Sequence, residues 1–274
     1  MIKIVTDSTG GIPENYANEN DIKIVPLKVL VGEKEYEENF NDLKLDMYTE
    51  VAKTKQYPKT SQPSYEKFLQ YFNDLTLNGD QVLCLTMAAS LSGTFSCANL
   101  ARQSCNNPDK VFVVDSGSAV HTIYGLIEEV CKMIKLNFSV ESILKKIEQL
   151  KENSGVAFIP DTLGYLQKGG RIGKVQAILG TVLNIKPIIL FRHAEVTNPK
   201  KSLGLTRAIA DLVEMISGKV KKLFIIQVGN SPFFQKMKDA VLAKFANVAF
   251  EDGYVGPVVG AHVGPSIGVA WISE

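Results

Sequence analysis

Apolar residues in the first half of the chain recur with two different periods. Short runs rich in β-branched residues predict strands at Lys3–Thr6, Ile22–Leu27, Gln81–Thr86 and Val111–Asp115. Apolar positions spaced by three and four residues predict helices at Tyr65–Leu75, Thr94–Ser104 and Ile123–Leu136. Because apolar strands alternate with helices, the pattern is typical of a parallel sheet that helices cover on both faces.

The pattern changes twice within the first half. Val29–Asn41 is polar and places Gly32 and Glu33 where a tight turn is expected, so it predicts a hairpin that leaves the βα alternation. Val140–Lys151 predicts another amphipathic helix, and Asn153-Ser154-Gly155 then breaks the chain. We therefore expect an N-terminal α/β domain over residues 1–154, with the hairpin inserted near 29–41, and a C-terminal domain over 155–274.

The second half repeats the mixture of strands and helices with a less regular order. Strands are predicted at Val156–Ile159, Pro187–Phe191, Leu223–Val228, Val248–Glu251 and Gly268–Ile272. Helices are predicted at Val175–Leu183, Leu205–Ile216 and Phe233–Phe245. The expected fold class is α/β, with a parallel sheet in the first domain and a mixed α/β arrangement in the second.

Composition narrows the classes of function. The chain has 274 residues, 45% of them hydrophobic, which is enough for a large core and an apolar pocket. Lys and Arg number 30 and Asp and Glu 29, so no basic excess indicates nucleic acid or an anionic membrane surface. No apolar stretch is long enough to span a bilayer, and a strand pattern starts at the first residues without a signal region, which predicts a cytoplasmic protein.

Cofactor and metal sites are not indicated. The four cysteines form no C-x-x-C pair, and the three histidines are too scattered for a zinc site. The chain carries neither a Walker loop nor a G-x-G-x-x-G turn after a strand. We expect no metal and no cofactor.

Hydroxyl-bearing residues follow several predicted strands. These residues form the segments Thr6–Thr9, Ser90–Thr94 and Asp115–Ser116, and a further cluster, Thr60–Ser64, precedes the helix predicted at Tyr65. In an α/β sheet, ligands collect at the carboxyl ends of the strands, and the free N–H groups at helix starts attract anions. Four such clusters at one sheet edge predict a site for a carboxylate or a phosphate.

Each cluster also has a purely structural interpretation. Ser and Thr are common helix N-caps, and Ser64 is well placed to cap the helix that starts at Tyr65. Asp7 is placed to bond its own turn.

Two further segments contain candidate binding residues. Leu163–Gly173 is rich in glycine and carries Arg171, which is able to pair with an anion or to remain solvated. Gly260–Ser266 places His262 among small residues in a segment that predicts a shaped loop.

These motifs, in this order and over essentially the whole chain, resemble the DegV family. The matching segments are Thr6–Thr9, Thr60–Ser64, Leu91–Phe95, Val114–Ser116, Leu163–Gly173 and His262–Pro265. The resemblance implies two α/β domains with a long-chain fatty acid between them. It implies that Thr60, Ser92 and His262, with Ser61, hold the carboxyl group, and we add Arg171 as a ligand-binding candidate.

The resemblance also implies a partner for some members, which present the bound acid to an acyl kinase. Such members usually carry arginine where this chain has Leu203, and this difference argues against a kinase partner here. Ser266 replaces a usual glycine, and Val120-His121-Thr122 replaces a small, glycine-rich stretch, so both positions are expected to alter the pocket.

Three functions remain open from the residues. The first is a fatty-acid-binding protein without catalysis, whose acyl chain gains about 0.8 kcal/mol per buried CH₂. The second is a phosphotransferase or hydrolase that uses Asp7, Ser92 or His262, which requires a nucleophile within reach of a base. The third is a sensor of another amphipathic or phosphorylated small molecule.

Overall fold

Strands and helices follow the predicted alternation along most of the chain. The structure, a computed structural model, describes residues 1–38, 46–54, 56–173, 175 and 185–274. The strands are β1 Ile2–Asp7, β2 Lys23–Val25, β3 Lys28–Val31, β4 Lys34–Glu37, β5 Lys59–Ser61, β6 Gln81–Thr86, β7 Val111–Asp115, β8 Gly155–Pro160, β9 Ile185–Arg192, β10 Glu195–Leu203, β11 Val220–Val228, β12 Ala249–Tyr254 and β13 Ser266–Ser273. The helices are α1 Glu14–Glu19, α2 Asp46–Thr54, α3 Tyr65–Thr76, α4 Thr94–Ser104, α5 His121–Lys135, α6 Val140–Asn153, α7 Gly164–Lys168, α8 Leu205–Met215, α9 Phe234–Lys244 and α10 Pro257–Val263.

The first sheet is parallel, with strand order β2-β1-β6-β7 among the described residues. Its strands bury both faces. Val5 and Val82 pack against α3 and α4, whereas Leu83 and Leu85 join the core that contains α5. The predicted parallel sheet with helices on both faces is confirmed.

The second sheet is mixed, with strand order β10-β9-β8-β13-β11-β12 in the described ranges. Only β11 and β12 pair in parallel there; the other neighbouring strands are antiparallel. Ile225 and Trp271 lie on the face that α8 and α9 cover, and Phe224 and Ile272 lie on the opposite face. The mixed α/β arrangement predicted for the second half is confirmed.

Helix α5 lies between the two sheets. Ile123, Leu126 and Ile127 are fully buried and share one core cluster with side chains from both halves, including Leu83 and Ile272. The division into domains 1–154 and 155–274 stays a prediction, because this core crosses the proposed boundary.

A small antiparallel sheet, with order β4-β3-β5 in the described part of the chain, contains the predicted hairpin. Residues Gly32 and Glu33 form its turn, as expected. Thr60 lies on β5 and pairs with Val29. The expectation that all four hydroxyl clusters share the edge of the parallel sheet is therefore wrong for Thr60–Ser64, because local pairing with the hairpin recruits this segment into a separate sheet.

The segment around His262 also differs from its prediction. His262 lies in helix α10, not in a loop, and β13 begins at Ser266. Pro257 occupies the first helical position, where its missing N–H is not needed, and Gly264 ends the helix with φ of 69°. Of the predicted helix Val175–Leu183, only Val175 is described, and the rest lies outside the described residues.

Among the described residues, none of the helices combines the length and apolarity that a membrane span requires.

Candidate functional site

A cavity of about 430 Å³ lies between the two sheets. Its volume falls within the range of about 300–1,000 Å³ that is typical of small-molecule sites. It is lined by Leu27, Thr60, Ser61, Gln62, Met87, Leu91, Ser92, Gly93, Ala119, Val120, Val156, Phe158, Leu166, Arg171, Val175, Ile189, Phe191, Val196, Ile226, Gln227, Val228, Val255, Val258, Val259, His262, Val263, Ser266 and Gly268. The five residues predicted to bind the ligand are all among them.

The first polar contact of the cavity joins two distant elements. Thr60 Oγ1 on β5 lies 2.8 Å from His262 Nε2 on α10, a hydrogen bond between residues 202 positions apart. Both side chains are half-buried. The bond places a hydroxyl and an imidazole side by side on the cavity wall.

The second polar group is the turn that precedes α4. Ser92 Oγ lies 2.8 Å from Thr94 Oγ1 and accepts a hydrogen bond from the Thr94 N–H at 3.3 Å. Gln62 packs against Gly93 so closely that a Cβ at Gly93 would overlap its amide group. The glycine of this turn thus lets the segment that follows Thr60 approach Ser92.

Arg171 is the third polar group of the cavity. Its Nη1 donates to the Gly169 carbonyl at 2.7 Å, and its Nε and Nη2 each lie 3.4 Å from the Leu91 carbonyl. Gly169 also lies against His262, since a Cβ at Gly169 would stand 2.5 Å from His262 Nδ1. Because Ser61, Gln62 and Arg171 are exposed, these three polar groups form the mouth of the cavity.

His262 is neutral at physiological pH. Burial and, to a smaller extent, the nearby Arg171 charge lower the pKa of His262 to about 4, although the Gly169 backbone opposes the shift. A neutral imidazole donates from one ring nitrogen and accepts at the other. His262 therefore serves at this mouth as a hydrogen-bonding group and not as a cation.

Most of the inner wall of the cavity is apolar, and on β8 and β9 it is formed by alternate residues. Val156 and Phe158 of β8, Ile189 and Phe191 of β9, and Ile226 of β11 lie on this wall. Their neighbours in sequence, such as Ala157, Leu190 and Ile225, belong to the core on the opposite face. Helix α10 adds Val258, Val259 and Val263.

Asp7 and Asp115 support the loops around the mouth. Asp7 is buried and accepts hydrogen bonds from the Thr9 N–H at 2.9 Å, which is the predicted bond within its own turn, and from the Met87 N–H at 2.7 Å. Burial raises the pKa of Asp7, and these hydrogen bonds oppose the shift. Asp115 Oδ1 accepts from the N–H groups of Ala89 and Gly117. Both carboxylates thus hold the loop that leads to Ser92.

The hydrogen bonds of the site test the catalytic alternative, which requires a nucleophile within reach of a base. Among the described residues, His262 Nε2 bonds Thr60 and Ser92 Oγ bonds Thr94, so these hydrogen bonds do not couple Ser92 to His262. Asp7 bonds Thr9 and Met87 instead.

Sequence reasoning missed part of the site. Gln62 and the valines of α10 were not singled out, although the three-residue spacing of Val259 and His262 on a helix would have indicated a shared face once α10 was recognised. The predicted strand Pro187–Phe191 contributes Ile189 and Phe191 to the apolar lining. Ser64 caps α3, as predicted.

The positions that depart from the family pattern fall in two places. Val120 and Ser266 both line the cavity, and Val120 has a φ of 49°, which is unusual for a β-branched residue. Leu203 does not line the cavity; it is the last residue of β10, with 69% of its surface exposed.

Comparisons with known proteins place this geometry in a family. The family model of DegV, described as an uncharacterised protein of the DegV family, matches residues 1–274. Protein DegV of Bacillus subtilis is 30% identical over 282 residues, which cover 98% of each chain.

Solved structures give the same assignment. A DegV family protein from Thermus thermophilus, described for its fatty acid binding, superposes with a TM-score of 0.92 at 28% identity over 100% of this chain and 99% of its own. DegV of Bacillus subtilis, a fatty acid binding protein, gives 0.87 at 28% identity, with 100% and 99% covered. A stearic acid-binding protein from Eubacterium ventriosum gives 0.86 at 26% identity, with 100% and 98% covered. The resemblance drawn from the motifs is thereby confirmed, and the chain belongs to the DegV family.

Proposed function

We propose that this chain binds a long-chain fatty acid, with the carboxylate at the polar mouth and the acyl chain in the apolar interior of the cavity. One observation carries the proposal: a single cavity has the side chains of Thr60, Ser61, Ser92, Arg171 and His262 gathered at its mouth and apolar residues of several strands behind them. Structural relatives that cover the whole chain are described as fatty acid binding.

The mouth suits a carboxylate. A carboxylate that leaves water needs several hydrogen-bond donors, because an unpaired charge in an apolar site is costly. The hydroxyls of Thr60, Ser61 and Ser92 and the imidazole of His262 offer such donors, and Arg171 adds a positive charge nearby. The ligand would accept hydrogen bonds from these groups.

The interior suits an acyl chain. Phe158, Ile189 and Ile226 present hydrocarbon, and each buried CH₂ of the ligand contributes about 0.8 kcal/mol. A short polar metabolite would leave this surface without a partner. The apolar interior therefore favours a fatty acid over a small phosphorylated ligand.

Mass spectrometry of organic extracts from gently purified protein tests the proposal. We expect a long-chain fatty acid in about stoichiometric amount, and extracts of matched buffer fractions serve as the control. Protein that neither retains lipid nor takes up added stearic acid would contradict the proposal.

Presentation of the acid to an acyl kinase is not favoured by the surface near Leu203. Leu203 is exposed, and the neighbouring Lys200 and Arg207 both form ion pairs with Asp211, at 3.0 and 3.2 Å. Leu203→Arg, assayed for phosphorylation of the bound acid with a cognate kinase, tests this point. Phosphorylation by the kinase of an acid bound to the unchanged protein would show that arginine at this position is not needed.

A further inference from the structure

A buried carboxyl group lies at the junction of three elements around the cavity. Glu38, directly after β4, accepts a hydrogen bond from Ser8 Oγ at 2.6 Å through Oε2 and one from the Val258 N–H at 2.9 Å through Oε1. Ser8 Oγ in turn accepts from the Leu27 N–H at 3.0 Å. Glu38 is only 7% exposed and does not line the cavity.

Helix α10 depends on an outside partner at its first turn. Its N-cap residue, Gly256, has no side chain to accept a hydrogen bond, and Pro257 has no N–H. Val258 is thus the first residue of the helix with an N–H to satisfy, and Glu38 satisfies it. The carboxylate also lies at the positive end of the helix dipole, where negative charge is favourable.

Glu38 is equally attached to the sheet that carries Thr60. Its own N–H donates to the Leu27 carbonyl at 2.8 Å, immediately before β3. In β3, Val29 pairs with Thr60 of β5. One residue therefore connects the strand pair that positions Thr60 with the helix that positions His262.

We propose that Glu38 is a positioning residue of the head-group site, whose ionised carboxylate holds α10 against the small sheet and thereby sets the Thr60–His262 hydrogen bond. The proposal rests on the proposed function, because the consequence of that hydrogen bond is the binding of a carboxylate. Glu38 itself is not expected to touch the ligand.

The ionisation of Glu38 gives the proposal a measurable signature. Burial, together with a smaller effect of Asp7, raises the pKa of Glu38 to about 7, although the hydrogen bonds from Ser8 and Val258 oppose the shift. Among the described residues, Tyr48 of α2 also interacts with it, since Glu38 contributes to the raised pKa of that phenol. The ionised carboxylate accepts from both donors at once, whereas the protonated form has one oxygen that donates.

The test compares stearic acid binding by the full chain and by Glu38→Gln. We expect the variant to bind about tenfold more weakly than the unchanged protein at about pH 8, which corresponds to the loss of one or two hydrogen bonds. The ratio of the two affinities should approach one at about pH 6, because Glu38 is then protonated and residue 38 is uncharged in both proteins. Because the ratio is taken at each pH, the titration of the fatty acid itself cancels.

Asp211→Asn provides a matched control. Asp211 is likewise buried and bridges a helix to a strand, accepting from Ser202 Oγ at 2.5 Å, but it joins α8 to β10 and not the elements that carry Thr60 and His262. We expect this variant to keep the affinity for stearic acid at both pH values. If Glu38→Gln binds like the unchanged protein, or if its loss is the same at both pH values, the proposal is wrong.

Nuclear magnetic resonance of the His262 ring separates this proposal from the proposed function. Glu38→Gln should shift the His262 ring nitrogen signals in ligand-free protein, and Asp211→Asn should leave them in place. Absence of fatty acid binding in the unchanged protein would overturn the proposed function, whereas unchanged ring signals in Glu38→Gln would overturn the positioning role. If Glu38→Gln does not fold, Ser8→Ala removes one of the two partners of the carboxylate and is expected to act in the same direction.

Discussion

Replacement of Thr60 by valine tests the head-group site with the least change in shape. Valine keeps the two-branched shape of the threonine side chain and replaces its hydroxyl with a methyl group. In the structure this hydroxyl lies 2.8 Å from His262 Nε2 and faces the cavity. We expect Thr60→Val to weaken fatty acid binding without altering the apolar interior.

The magnitude follows from the contacts. A hydrogen bond to a charged group contributes about 1.5–3 kcal/mol, so loss of the hydroxyl should weaken binding by about 10- to 150-fold. His262 Nε2 also loses its partner, and a buried polar atom left unsatisfied costs about 1–3 kcal/mol in the free energy of unfolding. The variant should therefore show both a lower affinity and a lower melting temperature.

Measuring the affinity for saturated acids of increasing chain length separates the contribution of the carboxylate from that of the acyl chain. Each added CH₂ that remains inside the cavity should strengthen binding about fourfold, which corresponds to about 0.8 kcal/mol. Thr60→Val should shift the whole series by a constant factor and leave the dependence on chain length unchanged. The assay is displacement of a fluorescent fatty acid.

Thr76→Val is the matched control, because Thr76 is buried, donates to the Phe72 carbonyl at 2.8 Å and does not line the cavity. It should lower stability and leave affinity unchanged. Affinity of Thr60→Val equal to that of the unchanged protein would refute the placement of the carboxylate beside Thr60. A changed dependence on chain length would show that Thr60 contacts the tail.

Three further predictions follow from the same geometry. Gly169→Ala places a methyl group 2.5 Å from His262 Nδ1 and should weaken fatty acid binding, as measured by the same displacement assay; unchanged affinity would contradict the close packing. Ile189→Trp fills the apolar interior and should reduce the affinity for stearic acid more than that for a shorter acid; an equal loss for both would place the tail elsewhere. In ligand-free protein, His262 should remain neutral at pH 5 by nuclear magnetic resonance, since its pKa is lowered to about 4. Because folding lowers this pKa from 6.5, the contribution of His262 to the free energy of unfolding is present above 6.5 and is lost as pH falls toward about 4, and titration near 6.5 in the folded protein would contradict the burial of the ring.

The parallel sheet was predictable from the sequence because its strands are apolar on both faces. Val82, Leu83, Cys84 and Leu85 form one continuous apolar run, and β1, β6 and β7 each end on a polar residue, namely Asp7, Thr86 and Asp115. The prediction that Asp7 and its neighbours follow a strand end rests on this local contrast. Such signals need no knowledge of the rest of the chain.

The pairing of Thr60 with His262 was not predictable from the residues alone, because it joins positions 202 apart. Helix α10 was not predicted either, because Gly260 and Gly264 lower the helix propensity of this segment. The helix is stabilised instead by Pro257 at its start and by Glu38 from the distant hairpin. Only the resemblance to the DegV family brought these residues together before the structure did.

The sequence did not predict strand β10, again because contacts between distant residues stabilise it. Its sequence is polar, contains Pro199, and follows a two-residue turn, His193-Ala194, that lacks glycine. Both turn residues nevertheless have positive φ, at 52° and 58°, which is the conformation that usually favours Asn-Gly. Pairing with β9 and contacts of Ala194 with Gly117 and Ser90 stabilise a turn that the local sequence does not indicate.

A crystal structure of the protein with stearic acid tests the central claim most directly. We expect the carboxylate within about 3.2 Å of Thr60 Oγ1, Ser92 Oγ and a ring nitrogen of His262. The acyl chain should lie against Phe158, Ile189 and Ile226. A carboxylate in the interior, or a ligand outside this cavity, would contradict the account.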